Sequence, residues 1–370
     1  MMRQRGTLWH WTVGLVAAGL LLGGCGGDDD GDDASPDPTE EAVTDTATEA
    51  GGTATEGSDS GTAADGEQLS FAMILPGPIQ DADYNAIAYE GLAGLEADYG
   101  ITTEYSEQVA VADAERVARE YITSGVEVIG FHGGQFLTIA ADLAAEFPDT
   151  VFVAESSGEM ADQPDNVWNI AREFAPGFYV QGALAGLVTE SGTVAFLGGI
   201  DIPDYKAGAN AMFAGARSVA PDVELLFNFT GDQNDAVSAR QSADALISEG
   251  ADVLVLGLNN GIFGVAEASA AAANPAFMTS SFTDKVSVAP DTFLVSTLWD
   301  FEGAYGQAIE GIQAGETNGV IPMNPASGLI TLGELHNVSD DVATQVTELW
   351  DQVVSGEVEV EVKTDDVVVP

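Results

Sequence analysis

From Leu69 onward, short runs of apolar residues alternate with Ala-rich amphipathic stretches. The apolar runs predict strands at residues 69–75, 102–109, 126–132, 150–155, 193–198, 223–229, 253–258, 276–280 and 293–298. The amphipathic stretches predict helices at 85–99, 112–124, 137–147, 177–189, 205–220, 236–249 and 263–273. Strands with continuous apolar runs, separated by helices, are typical of parallel sheets covered on both faces. The pattern therefore predicts an α/β fold.

The segments before and after Thr193 each have the pattern of βαβαβ units over about a hundred residues. Each segment has too few predicted strands for one closed barrel, so we expect two doubly wound lobes. A (β/α)₈ barrel remains the alternative. In doubly wound sheets, ligands bind at the carboxyl ends of the strands. The loops that contain Gly133 and the pair Asn259 and Asn260 follow predicted strands and are therefore candidate ligand contacts.

The first 24 residues have the pattern of an export signal. Arg3 and Arg5 precede an apolar run over residues 11–22, which is too short to span a membrane comfortably. The sequence LGGC then ends at Cys25, the single cysteine of the chain. Leucine, two small residues and cysteine resemble the lipobox of prokaryotic lipoproteins, which implies a lipoprotein signal peptide at 1–24 and lipidation of Cys25. A plain secretory signal is the alternative, and the export route stays open.

Residues 25–67 differ sharply from the rest of the chain. Residues 26–67 carry fourteen acidic side chains and no basic one, among Gly, Ala, Ser, Thr and Pro. Such a segment cannot bury enough apolar surface to offset the entropy of ordering. We expect a disordered acidic tether, with an acidic interaction tail as the alternative.

The charge of the chain limits its partners. It carries 60 acidic and 10 basic side chains among 370 residues, a formal net charge of −50. This charge argues against nucleic-acid binding and against a surface that grips anionic lipid, because both need clusters of Lys and Arg. Self-repulsion of this size would be screened at molar salt. The composition therefore favours a halophile.

Few residues are suited to catalysis or metal binding. The three histidines are His10, His132 and His336, and none has a neighbour at metal-ligand spacing. No metalloprotease, nucleophile-elbow, phosphate-loop or dinucleotide motif occurs in the sequence. We expect His132 to be a satisfied loop residue, with a general base as the alternative. We expect no enzyme, metal site or cofactor, and a surface α/β hydrolase remains the competing class.

A series of motifs occurs in order along the folded part of the chain. It comprises LPGPIQDADYN (75–85), YEGL (89–92), YSEQV (105–109), AAEFPD (144–149), PDNV (164–167), GALAGL (182–187), GAR (215–217), PDV (221–223) and ALISEGADV (245–253). This series resembles the BMP (basic membrane protein, PnrA-like) family of substrate-binding lipoproteins of ABC transporters. The resemblance implies a type I periplasmic binding protein fold with two α/β lobes joined by strand crossovers at 172–174 and 299–301. The N-terminal lobe would comprise 69–172 and about 299–327, and the C-terminal lobe 173–298 and about 328–370.

Family members with known ligands mostly bind purine nucleosides, so the resemblance also implies a binding site. Asp81 and Asn85 would bond the base, and Tyr84 or Tyr89 would stack on it, although Tyr89 is equally explained as core packing. Gly133 would let the backbone approach the ligand. The full set of implied ligand contacts is Asp81, Tyr84, Asn85, Tyr89, Gly133, Gln135, Phe136, Asp235, Asn259, Asn260, Asp284, Lys285 and Trp299.

Two positions depart from the family pattern. The aromatic residue that usually precedes Asp235 is absent, and Trp299 stands near the place of a lysine that contacts ribose. A nucleobase or another heteroaromatic solute is therefore as consistent with the sequence as a nucleoside. The resemblance implies a monomer, lipid-anchored at the cell membrane and facing outward, that delivers its solute to an ABC permease. A ligand sensor that presents its closed state to a membrane receptor is the alternative.

Overall fold

The computed structural model of the chain describes residues 68–81, 83–367 and 369. Twelve strands lie in this part: β1 (Ser70–Ile74), β2 (Thr102–Ser106), β3 (Val128–Phe131), β4 (Val151–Ser157), β5 (Val167–Arg172), β6 (Thr193–Gly198), β7 (Glu224–Phe229), β8 (Val253–Gly257), β9 (Phe277–Phe282), β10 (Phe293–Trp299), β11 (Gly319–Met323) and β12 (Ile330–Leu332). Nine α-helices lie in the same part: α1 (Tyr84–Tyr99), α2 (Val111–Ser124), α3 (Leu137–Glu146), α4 (Ala175–Val188), α5 (Pro203–Val219), α6 (Ala236–Ser248), α7 (Gly261–Ala271), α8 (Phe301–Gln313) and α9 (Asp340–Val354).

The strands form two separate six-stranded sheets, which rules out the single barrel. The first has the order β11-β5-β4-β3-β1-β2 and is parallel throughout. The second has the order β12-β10-β9-β8-β6-β7, in which β12 alone runs antiparallel to its neighbour. We define the first lobe as the first sheet with α1, α2, α3 and α8, and the second lobe as the second sheet with α4 to α7 and α9.

Three connections carry the chain from one lobe to the other. They follow β5 at Glu173 and Phe174, β10 at Asp300, and β11 at residues 324–329. Two hydrogen bonds join them: the N–H of Glu173 donates to the carbonyl of Met323 at 3.0 Å, and the N–H of Asp300 donates to that of Leu329 at 2.9 Å. The carboxyl ends of the parallel strands in both lobes face this region, where a ligand of a doubly wound sheet would bind.

Burial differs among the strands and does not by itself decide which of them the apolar pattern predicts. Every residue of β3, β5, β6 and β8 is buried, whereas the edge strands β2 and β7 are largely exposed on one side. The nine predicted strands and seven predicted helices all occur, with shifted ends. Strands β5, β11 and β12 and helices α8 and α9 were not predicted. In β5 the polar residues Asn169 and Arg172 interrupt the apolar run although both are buried.

Helices α4 and α5 pack with their backbones in close contact, which fixes the start of α5 beside the lobe boundary. A Cβ atom on Gly182 would lie 2.1 Å from the carbonyl oxygen of Met212, and one on Gly215 would lie 1.9 Å from that of Tyr179. Glycine is therefore required at both positions. This packing holds the first turn of α5, with Asp204 and Tyr205, at the carboxyl ends of the second sheet.

The expected signal peptide (1–24), the expected tether (25–67) and Cys25 lie outside the described residues. Among the helices of residues 68–81, 83–367 and 369, none combines the length and apolar character needed to cross a membrane.

Candidate functional site

A cavity of about 450 Å³ lies between the lobes, at the carboxyl ends of both sheets. The first lobe contributes the ends of β1, β3 and β5 with the start of α1, and the second lobe contributes the loops after β6, β7 and β8 and the end of β9. The residues that line it include Pro76, Gly77, Tyr84, Asn85, Gly134, Gln135, Arg172, Phe174, Ile200, Ile202, Asp204, Tyr205, Asp232, Gln233, Asn234, Asn259 and Phe282.

The buried carboxylate of Glu155 on β4 binds several of the side chains at the base of the cavity. Its Oε1 lies 2.6 Å from Nδ1 of His132 and accepts a 2.7 Å hydrogen bond from the hydroxyl of Tyr305. Its Oε2 accepts a 2.7 Å bond from the hydroxyl of Tyr84 and lies 3.2 Å from Nη1 of Arg172. Burial by itself would raise the pKa of Glu155, but His132, Arg172 and the hydroxyl bond lower it to about 2. Glu155 is therefore a fixed negative charge.

Arg172 connects this network to the second lobe. Its Nη1 donates to the hydroxyl of Tyr84 at 3.2 Å, and its Nη2 donates to Oδ2 of Asp204 at 2.9 Å. Arg172 and Asp204 are both almost fully buried and both line the cavity. Within the described part of the chain, Nε of Arg172 and Oδ1 of Asp204 have no hydrogen-bond partner. The pair therefore retains one buried donor and one buried acceptor that no described protein group satisfies.

Aromatic rings form the remaining walls of the cavity. The ring of Tyr84 stacks on His132 at 3.9 Å between centroids and lies 5.1 Å from the ring of Phe282 in the second lobe. Phe174 and Tyr205, 5.7 Å apart, line the same space. Burial and the charge of Glu155 raise the pKa of Tyr84 well above its ordinary value, so its hydroxyl stays protonated. The rings of Tyr84, His132 and Phe282 therefore pack against one another beside the cavity.

The predicted pair Asp81 and Asn85 is occupied mainly by bonds within the first lobe. Oδ1 of Asp81 accepts from the backbone N–H of Asp83 (3.0 Å) and Ala86 (2.9 Å), and Oδ2 accepts from the backbone and side-chain N–H of Asn85. Oδ1 of Asn85 accepts from the N–H of Gly77 at 3.0 Å. Asp81 thus accepts hydrogen bonds from backbone N–H groups in the first turn of α1, which have no partner within the helix. Asn85 lines the main cavity, and Asp81 does not.

A smaller cavity of about 240 Å³ adjoins the first, and Asn259 lines both. The predicted site residues Asp81, Asn260, Asp284 and Lys285 line this smaller cavity. Gln135 lines the main cavity with Gly134, and Gly133 precedes them with a φ of 120°, a conformation that favours glycine. The structure therefore divides these residues between two neighbouring spaces.

Tyr89 and Phe136 lie away from both cavities. Tyr89 is 36% exposed on α1, and its ring lies 4.8 Å from that of Tyr105 on the outer surface. Phe136 is fully buried and packs 5.9 Å from Phe131 in the core beneath α3. Helical periodicity turns Tyr89 outward, and the turn that brings Gln135 to the cavity directs Phe136 into the core.

Trp299 and Asp235 have structural roles. Trp299 is 7% exposed and packs 4.6 Å from Phe174 and 5.2 Å from Phe282, without lining either cavity. It supports two rings that do line the main cavity. Asp235 caps α6 by accepting from the N–H of Val237 and Ser238. The three residues that precede Asp235, 232–234, line the main cavity.

The sequence interpretation missed Glu155, Arg172 and Asp204 as site residues. Glu155 and Arg172 sit at or near the ends of buried strands, where an ionisable side chain among apolar residues needs a partner. An ionisable residue near the end of a buried strand was therefore the sequence feature that could have indicated Glu155 and Arg172 as site residues. No sequence pattern indicated that Asp204 meets Arg172, because they belong to different lobes.

The lining of the cavity carries more negative than positive charge, which disfavours an anionic solute. Of the described residues that line it, Arg172 is the only cation, whereas Asp204 and Asp232 are carboxylates. The described part of the chain holds no group of three His, Cys, Asp or Glu side chains that could bind a metal ion. An anionic ligand would face net negative charge in a partly desolvated space.

Comparison with known proteins agrees with this architecture. The family model described as "ABC transporter substrate-binding protein PnrA-like" matches residues 68–364. The chain is 28% identical over 309 residues to a putative ABC transporter glucose-binding protein of Haloferax volcanii, covering 82% of this chain and 77% of the relative. It is 25% identical over 295 residues to a purine-binding protein of Brucella abortus, covering 79% and 82%.

Solved structures show the fold. A solute-binding protein of an ABC transporter system from Aeropyrum pernix superposes with a TM-score of 0.71 at 17% identity, over 80% of this chain and 94% of that chain. A second, from Conexibacter woesei, gives 0.63 at 24% identity, over 80% and 99%. The predicted two-lobed fold of the type I periplasmic binding proteins is confirmed.

We predict that Glu155→Gln lowers the free energy of unfolding by about 3–5 kcal/mol, since it leaves Arg172 and His132 without their shared carboxylate. Because the pKa of Glu155 is about 2 in the fold and 4.5 ordinarily, its stabilisation is present above pH 4.5 and is lost as the pH falls toward 2. Urea unfolding over this pH range measures both effects. Glu146→Gln, which removes an exposed partner of Arg119, is the control and should cost less than about 1 kcal/mol. Equal losses in the two variants would contradict the role of Glu155.

Proposed function

The chain belongs to the PnrA-like family of ABC transporter substrate-binding proteins, and we propose that its solute is an uncharged purine-class heteroaromatic, a nucleobase or a nucleoside. As a member of this family it is a solute-binding protein that works with a membrane permease, and it is not an enzyme, as the sequence predicted. The coarse function follows from the family, whereas the identity of the solute is our proposal.

The observation that carries the proposal is the combination of an aromatic lining with one buried donor and one buried acceptor that lack partners among the described residues. Tyr84 and Phe282 bound the main cavity from opposite lobes, and Nε of Arg172 and Oδ1 of Asp204 are buried there without protein partners. A purine offers a flat face to the rings and both donor and acceptor atoms at its edge. Such a ligand would satisfy the orphaned polar atoms and cover the apolar surface at once.

Size and charge favour the same class. A volume of about 450 Å³ is within the range of pockets that enclose small organic ligands. The excess of carboxylates over cations in the lining disfavours nucleotides, whose phosphates would be repelled. The relative from Brucella abortus is named for purine binding. A nucleobase or nucleoside agrees with all three considerations.

A hexose is the competing candidate. The relative from Haloferax volcanii is named as a putative glucose-binding protein, and the lining residues Asp232, Asn234 and Asn259 could bond hydroxyl groups. The aromatic lining contributed by both lobes favours the purine class, because a purine offers a π-system to pack against these rings and a hexose offers none.

We also propose that Cys25 is lipidated and tethers the protein outside the cell membrane through the acidic segment 25–67. The lobes would then act as a monomer beside the permease, alternating between an open and a closed arrangement. The order of the sequence supports this proposal, since the anchor precedes the spacer and the spacer precedes the folded part.

We predict that the purified protein in molar salt binds at least one of adenine, guanine, adenosine, guanosine and inosine more tightly than glucose, as measured by isothermal titration calorimetry. Asp204→Asn should weaken that binding by about tenfold to a hundredfold, because it removes a charged acceptor from the cavity. Asp201→Asn is the matched control, since Asp201 is exposed and pairs with Lys206. Tighter binding of glucose, or equal effects of the two variants, would contradict the purine proposal.

For the anchor, we predict that Cys25→Ser moves the protein from the membrane fraction to the soluble exported fraction, because the lipid attachment atom is lost. Cell fractionation and the intact mass of the mature wild-type protein test this. A wild-type mass without added lipid would refute the anchor.

A further inference from the structure

Asp83 stands at a helix start but does not cap the helix. A carboxylate directly before α1 would ordinarily accept an N–H of the first turn. Asp81 takes that role by accepting from Asn85 and Ala86, and the side chain of Asp83 makes no capping bond. The carboxylate of Asp83 therefore serves another purpose.

That carboxylate meets a lysine of the other lobe. Nζ of Lys285, which follows β9, lies 2.7 Å from Oδ1 of Asp83 and donates a second bond of 2.6 Å to the carbonyl of Ser281. The side chains of Asp83 and Lys285 are 1% and 6% exposed. Thr283 donates to the same carboxylate oxygen at 3.4 Å. The two charges are thus enclosed where the lobes touch.

The pair lies beside the ligand cavity without lining it. Neither Asp83 nor Lys285 lines the main cavity, although Lys285 lines the smaller one. Tyr84 directly follows Asp83, Phe282 lies three residues before Lys285, and both rings line the main cavity. Those two rings lie 5.1 Å apart across the lobe boundary. Any shift in how the lobes meet at the ion pair therefore changes the spacing of the rings.

The energetics of a buried ion pair indicate that Asp83 and Lys285 favour one arrangement of the two lobes over others. A buried ion pair adds little net stability compared with apolar side chains, but removing one partner leaves a buried charge uncompensated and is strongly unfavourable. When the lobes separate, both charges regain water. The closed arrangement is therefore acceptable only if Asp83 and Lys285 meet.

We propose that Asp83 and Lys285 are positioning residues that form their ion pair only when the lobes close, fix the closed arrangement, and so set ligand affinity without touching the ligand. This deepens the proposed function and rests on it only for the choice of ligand probe. Arg172 and Asp204 also bridge the lobes, but they line the main cavity, whereas Asp83 and Lys285 do not.

Coupling between the two side chains provides a readout that a merely structural role would not change. Burial raises the pKa of Asp83, opposed by Lys285, so an ionised Asp83 is acceptable in the closed arrangement only beside that lysine. Loss of either partner should therefore disfavour closure, and loss of both together should largely restore it.

The test compares the full-length wild type with Asp83→Asn, Lys285→Met, the double variant and Lys206→Met. The last is a matched control, because Lys206 bonds two carboxylates that both lie in its own lobe. Hydrogen exchange of residues 281–288 without ligand reports on opening. Calorimetry with adenosine, or with whichever purine of the panel binds, reports on affinity.

Each single variant should exchange faster in this segment and bind about a hundredfold more weakly, whereas the double variant should return to within about tenfold of wild type. Additive losses in the double variant, or unchanged exchange in all variants, would overturn the proposal. If no purine binds, the solute proposal fails, and hydrogen exchange still decides the role of the ion pair.

Discussion

The buried carboxylate of Glu155 is the constraint on which the binding site depends. It can remain ionised inside the protein only because His132, Tyr84, Tyr305 and Arg172 converge on it. Satisfying that charge fixes the ring of Tyr84 at the cavity wall and the guanidinium of Arg172 at the cavity floor. Both groups are therefore in place before the second lobe or a ligand approaches.

Arg172 belongs to the first lobe, and Asp204 is the residue of the second lobe that pairs with it. The close backbone packing of α4 and α5 delivers that carboxylate to the boundary. Eight basic residues follow the expected signal peptide, and two of them, Arg172 and Lys285, are buried in ion pairs between the lobes. In so acidic a chain, cations are scarce, and these two are used where the lobes must recognise each other.

The apolar pattern was sufficient to predict the two α/β lobes, because strands buried on both faces leave continuous runs in the sequence. It could not reveal β5, whose buried Asn169 and Arg172 interrupt the run. Short motifs placed Tyr84, Asn85, Gln135 and Asn259 at the cavity lining, yet they also suggested Tyr89 and Phe136, which helix periodicity and loop direction turn elsewhere.

Contacts between the lobes were beyond prediction from the sequence. Asp83 and Lys285 are separated by about two hundred residues, as the pairing in the structure shows. Lys285 had been expected to contact ligand, and the structure gives its ammonium group to Asp83 and a carbonyl instead. The pattern of apolar and polar residues predicts the helix or strand in which a residue lies. The residue that it contacts in the other lobe depends on how the two folded lobes pack together, which the local pattern does not encode.

We propose that the cavity binds an uncharged purine against its aromatic lining, beside Arg172 and Asp204. Mass spectrometry of the small molecule released on denaturing protein purified from its native cells tests this most directly. A purine base or nucleoside released from the wild type and missing from Asp204→Asn is the predicted result. A hexose, an anion, or no purine at all in the wild type would contradict it.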